Sequence, residues 1–338
     1  MFTKFFSKIS AVLIAASLTA CSGGGGGSPT SSPTTPVANT CSNGAINYPT
    51  CNTVALQTSV ATPTYAATSD ELITFNELNG FRKALGLGLL AQSLTLDNAA
   101  KNHANYIATN QIFGHVEDGA KPGFTGIYPQ DRVAFAGYKL GTYGGEVVGV
   151  GAAPSGIRGL INSIYHRDLL AFQMFTDVGI SFNSGIYTPL VIDFGATLSQ
   201  ANASNFTTNY PFDGQTNLPL AMVGEIPNPF PELSYTDYAT KTSSPITFYS
   251  ANGTTLSVTT FTVTPAGQTS PLSVRLLTTA SDPNKDVQPN VAHIVGNAPF
   301  LANTKYVVNF VGAVNGTPVN KTWSFTTGSS LNIGGGAL

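Results

Sequence analysis

The sequence predicts an α+β domain in which helices cover an antiparallel sheet, followed by an all-β sandwich. Three observations carry this reading. Apolar residues recur at helical spacing between about 70 and 170, two strand-like runs joined by a turn follow, and beyond about 210 every periodic run is strand-like. The chain has 338 residues, which suggests two domains at roughly 100–200 residues each. Hydrophobic residues make up 42% of it, enough for real cores. Only 9% are charged, against a usual share of about 25%. Gly, Ser, Thr, Asn and Pro take the surface instead, as suits an exported, loop-rich protein. Net charge is −2 with no basic tract, which argues against nucleic acid as a partner.

The elements follow in order. Lys4 and Lys8 precede a short apolar run, Ile9 to Leu18, too short to span a bilayer permanently. It ends in Leu18-Thr19-Ala20-Cys21, which resembles the bacterial lipobox. That resemblance implies a signal peptide over residues 1–20, a lipidated Cys21 and a membrane partner through it. Ser22, with no Asp after the Cys, implies outer-membrane or cell-surface sorting in a Gram-negative host. Residues 21–68 read as a linker: a Gly run, then Ser, Pro and Thr, then Cys41 and Cys51. In an oxidising compartment these two thiols are expected to pair as a local disulfide; two free thiols are the alternative.

Ser69 offers an N-cap, with Asp70 and Glu71 in the first turn of a helix carrying Leu72, Phe75, Leu78, Phe81 and Leu85. Gly86 and Gly88 stop it. A second helix reads from about Thr95 to Thr109, with His103 on its apolar side, and a loop follows from Gly114 to Asp131. A third helical stretch covers Ser155 to Leu170. Val178–Phe182 and Leu190–Phe194 read as strands joined at Asn183-Ser184-Gly185. This first domain spans 69–200. The second spans 205–330, with strands at Ile246–Tyr249, Leu256–Val263, Leu272–Leu277, Lys305–Val311 and Lys321–Thr327. Asn252-Gly253 and Asn315-Gly316 carry hairpin-turn chemistry.

Several short motifs, each weak alone, keep a specific order. They are Asn79-Gly80-Phe81-Arg82 with Gly86-Leu87, the Leu96–Ala104 helix, Gly114-His115, Asp131-Arg132, Gly137-Tyr138, Gly145-Glu146, Ser163-Ile164-Tyr165-His166-Arg167, and Asp193-Phe194-Gly195. Together they resemble the CAP superfamily (cysteine-rich secretory, antigen 5 and pathogenesis-related proteins) in its bacterial form, over about Asp70 to Phe194. The resemblance implies a CAP-type α-β-α sandwich. It departs from the family at Val147, where Asn usually follows the Glu, and in lacking the usual Trp of the third helix. A second Glu on that helix and a second His on a later strand, present in many eukaryotic members, have no clean counterpart. Tyr210-Pro211-Phe212-Asp213-Gly214 at entry and Trp323-Ser324-Phe325 at exit make the second domain resemble bacterial immunoglobulin-like domains, which usually serve as spacers or adhesion modules.

The CAP resemblance implies that His115, Glu146 and His166 share one cleft. Two imidazoles and a carboxylate suit Zn²⁺ or another divalent cation; a hydrogen-bond network without metal is the alternative. His103 is expected in or beneath that cleft. Glu117 and Asp118 read as solvated loop charges able to add oxygens, and Asp131-Arg132 as a loop-fixing ion pair. Arg167 is expected to pair with Glu146 or Asp168, or to face solvent. Asp282, Asn284 and Asp286 read as a turn rather than a Ca²⁺ site. No Gly-x-Ser-x-Gly, no HExxH and no Cys lies in the first domain, so an enzyme is not favoured; Glu146 is the candidate base if there is one. The expectation is a lipid-anchored protein of the bacterial cell envelope whose cleft binds a lipid- or sterol-like ligand or a divalent metal. The alternatives are a metal-assisted hydrolase or peptidase of envelope or host substrates, and an adhesion or structural module with a cell-surface partner.

Overall fold

The computed structural model describes residues 53–139, 143–329 and 331, with two short paired strands at 42–43 and 46–47. Cys21, Cys41 and Cys51, and with them the leader, the lipidation site and the expected disulfide, lie outside the described residues. No helix among the described residues is long and apolar enough to cross a membrane.

Helix α1 runs Asp70–Ala84, and the Ser69 hydroxyl accepts from the Leu72 amide as the sequence predicts. Helix α2 runs Leu94–Asn110 and ends on Gln111 in the left-handed conformation, with φ 57°. A short helix, α3, covers Pro129–Phe135 inside the stretch read as a loop. The third predicted helix is broken: α4 spans Ser155–Ile161 and α5 Tyr165–Leu170. The break has a physical cause outside the helix. The Asn162 side chain donates to the Ala221 carbonyl at 2.7 Å, and the Asn162 carbonyl accepts from the Val223 amide. The amides freed at 164–166 all turn to the Glu225 carboxylate.

The helices flank a four-stranded sheet in the order 91–92, 177–182, 189–195, 143–150. The last strand, Tyr143–Val150, carries Glu146 and pairs antiparallel with Pro189–Gly195. Its Gly-Gly start hid it from sequence periodicity. Gly179 lets α2 lie directly on the sheet: a Cβ there would sit 2.1 Å from the Leu96 carbonyl carbon.

Beyond residue 205, two four-stranded sheets face each other. One is ordered 274–277, 291–296, 246–250, 207–210; the other 215–218, 317–327, 305–314, 256–265. Phe248 of the first stacks on Phe310 of the second with ring centres 3.9 Å apart, and Trp323 and Phe261 close the layer. Asn315 and Gly316, at φ 49° and 81°, make the predicted hairpin turn.

The two halves are not beads on a linker; they belong to one compact unit. Phe81 of α1 packs edge-on against Tyr210, centres 5.5 Å apart. Arg167, fully buried, donates to the Ile161 and Pro245 carbonyls and to the Thr247 hydroxyl, and its guanidinium lies 4.4 Å above the Tyr210 ring. It therefore neither pairs with Glu146 nor faces solvent: it fastens one half to the other. Asp168 accepts from the Tyr249 hydroxyl and from His293. Asp282 is buried and accepts from the amides of Asn284, Asp286 and Val287, which is the turn the sequence suggested.

Candidate functional site

A hollow of about 330 Å³ lies where the two halves meet. His115, Glu146 and His166 all line it, with Leu169 and Phe172 as apolar wall. The β-half contributes Ile226, Pro227, Asp286 and Gln288. The three residues the sequence reading grouped thus line one hollow, but residues from both halves build it, not the first domain alone.

The first imidazole stands on a braced loop. His115 follows α2, and its Nδ1 lies 2.8 Å from Glu146 Oε1. Its side chain is 41% exposed while that of Glu146 is 1%. One guanidinium nitrogen of Arg132 lies 2.9 and 2.8 Å from the two Glu146 oxygens, and another donates to the His115 carbonyl. Behind them is a second carboxylate. Glu117 is 1% exposed and meets His103 Nδ1 at 2.9 Å, the Thr125 amide at 2.8 Å and Arg132 Nε at 3.7 Å. Glu117 is therefore a buried partner of His103 and Arg132 and not a solvated loop charge. Arg132 is paired with Glu146 and not with Asp131, whose carboxylate accepts from the Tyr128 amide at the start of α3.

His103 does not reach the hollow. It is fully buried, with Nε2 2.7 Å from the Gly114 carbonyl and 3.9 Å from Glu146. Both ring nitrogens face acceptors, so it works beneath the cleft, holding the loop that carries His115. Burial alone would raise the Glu146 carboxyl. The His115 hydrogen bond and the charges at His103 and Arg132 outweigh it and hold the group below its ordinary value. A carboxylate so held is a weak proton acceptor, which counts against Glu146 as a general base.

The second imidazole is built across the junction. His166 Nδ1 lies 2.9 Å from Glu225 Oε2 and 3.2 Å from Ser163 Oγ, whose hydroxyl donates to the Leu160 carbonyl. The side chains are 16% and 1% exposed, respectively, for His166 and Glu225. Glu225 is the residue the sequence reading missed. Nothing local marks it: it lies 59 residues from His166, in the other half of the chain. Both cleft histidines thus direct Nδ1 at a buried carboxylate, which leaves Nε2 as the ring atom for a ligand.

The expected metal centre does not fit this arrangement. Among the described residues no group of three His, Cys, Asp or Glu side chains could hold a metal ion. The lone pairs of Glu146 are already directed at Arg132 and His115, and the two imidazoles have separate carboxylates. Among the described residues that line the hollow there is no Ser, Thr or Cys. Thr247, His293 and Asp168 form a hydroxyl–imidazole–carboxylate line at 2.9 Å per step, yet Thr247 and His293 are 0% exposed and Thr247 Oγ1 also accepts from Arg167.

Residues 75–188 match the model of the cysteine-rich secretory protein family, CAP. Among solved structures, an extracellular protein containing an SCP domain from Bacillus anthracis is similar at 21% identity, over 38% of this chain and 40% of that one, with a TM-score of 0.32. An outer surface protein from Borrelia burgdorferi is also 21% identical, over 39% of this chain and 96% of that one, with the same TM-score of 0.32. The match thus spans well under two thirds of the Bacillus protein. No curated protein matches the chain. The family assignment rests on the sequence match: residues 75–188 carry a CAP domain, and the two facing four-stranded sheets that follow it are consistent with an immunoglobulin-like sandwich.

Proposed function

We propose that this is an exported, lipid-anchored protein of the bacterial envelope whose CAP cleft binds a small amphipathic ligand with a hydroxyl head. The single observation that carries the reading is the pair of carboxylate-backed imidazoles, His115 and His166, on one hollow with an apolar wall. An Nδ1–H held by a carboxylate leaves Nε2 as an acceptor, which suits a hydroxyl donor. Glu146, Asp168 and Asp286 on the same walls disfavour an anionic head. At about 330 Å³ the hollow is at the small end of the roughly 300–1,000 Å³ of ligand sites. That supports a short alcohol or the head of a longer lipid or sterol-like molecule.

Equilibrium dialysis with labelled 1-decanol and with decanoate tests this. The expected result is binding of the alcohol in preference to the acid, lost in a His115→Ala, His166→Ala double variant. Equal binding by wild type and double variant would contradict it. Zinc calorimetry on the same pair is expected to give equal heats; heats confined to the wild type would restore the metal reading. For the anchor, labelled palmitate is expected on the wild type in a bacterial host and absent from Cys21→Ser. Palmitate retained by that variant would overturn lipidation there.

A further inference from the structure

We infer that the β-domain is a working half of the ligand site: Glu225 is the positioning residue of His166, and Ile226 with Pro227 is the wall that selects the ligand's apolar part. This deepens the reading of the hollow as a ligand site and rests on it.

Three observations converge on the short segment 225–227. The first is geometric. Helix α5 begins at Tyr165 with no side chain of its own capping it. Its orphan amides are met instead by Glu225: Ile164 N at 2.6 Å, Tyr165 N at 3.1 Å and His166 N at 3.2 Å. A carboxylate that grips three successive amides is fixed in place, and the same group meets His166 Nδ1. The orientation of the imidazole therefore derives from the β-half, not from the CAP helix that bears it. The second is chemical. With Nδ1 facing a carboxylate, the neutral ring carries its proton there and presents a bare Nε2 to the hollow. Without Glu225 the ring has only the Ser163 hydroxyl near Nδ1, and that hydroxyl is committed to Leu160. The third is the neighbouring residues. Ile226 lines the hollow yet is 80% exposed, and Pro227 lies beside it. An apolar side chain that projects so far from the core contributes little to folding and is free to cover a ligand.

The chain has four histidines, so histidine-¹⁵N NMR on the full chain resolves each ring. His166 of the wild type is expected as the Nδ1–H tautomer. In Glu225→Gln the ring is expected to shift toward a mixture of tautomers, with His115 unchanged and 1-decanol affinity about tenfold weaker. In Ile226→Ser the tautomer and the melting temperature are expected to hold, with 1-decanol affinity about fivefold weaker and the preference for longer alcohols reduced. An unchanged His166 tautomer in Glu225→Gln overturns the positioning role. Unchanged chain-length preference in Ile226→Ser overturns the wall, and this variant keeps the test open if Glu225→Gln does not fold. If the wild type binds no alcohol while the Glu225→Gln tautomer shifts, the ligand reading fails and the positioning role stands.

Discussion

Arg132 carries the polar chemistry of the CAP half. It is 1% exposed, and it faces two buried carboxylates, Glu146 and Glu117. Buried ion pairs offset their own desolvation only when complete, so removing one partner costs about 3–5 kcal/mol. Arg132→Met is expected to lower the stability of the chain by that much in urea unfolding; a loss within about 0.5 kcal/mol would mean the carboxylates are hydrated. Acid acts on the same group from the other side. The Glu146 carboxyl lies below its ordinary value of 4.5 in the folded chain, so on acidification the unfolded chain takes up the proton first. Its contribution is full above that value and is lost as pH falls through the folded one. Glu146→Gln is expected to be less stable at neutral pH and to show a flatter decline below it; an unchanged slope would contradict this. At this scale His115, Glu146 and His166 were legible because motif order placed them. Glu117 was misread because two acids in a Gly/Pro-rich loop look solvated until a buried His and Arg are found behind one of them.

The elements show where periodicity succeeds and where it stops. Helices α1 and α2 carry full apolar faces and Ser caps, and both stand within a residue or so of where the sequence puts them. The third helix reads as continuous because Ile157, Leu160, Ile161 and Ile164 keep the right spacing and are all buried. Only the distant carbonyl of Ala221, the amide of Val223 and the carboxylate of Glu225 make a break at 162–164 favourable. The contact of α2 with the sheet gives the prediction at this scale. Gly179→Ala would drive a methyl to 2.2 Å from the Asp97 amide nitrogen. Overpacking of this kind costs about 1–3 kcal/mol, so its melting temperature should fall clearly; an unchanged value would mean α2 lies farther from the sheet.

For the whole molecule, the change from mixed to all-β structure near 200 was visible in composition, but the union of the halves was not. It depends on buried groups reaching across: Arg167 to Pro245 and Thr247, Gln173 to Ser250, Asp168 to His293, Glu225 to α5. Calorimetry of the full chain is therefore expected to show one cooperative transition for residues 53–329. Two separated transitions would return the β-domain to the role of a spacer.

The central claim is that two imidazoles, and only those two, share one solvent-reachable hollow made by both halves. Carbethoxylation with diethyl pyrocarbonate, read residue by residue by mass spectrometry, tests it most directly. The account predicts rapid modification of His115 and His166, protection of the buried His103 and His293, and slowing of both reactive sites together by 1-decanol. Modification of His103 or His293 at a comparable rate, or protection of one cleft histidine without the other, would contradict it.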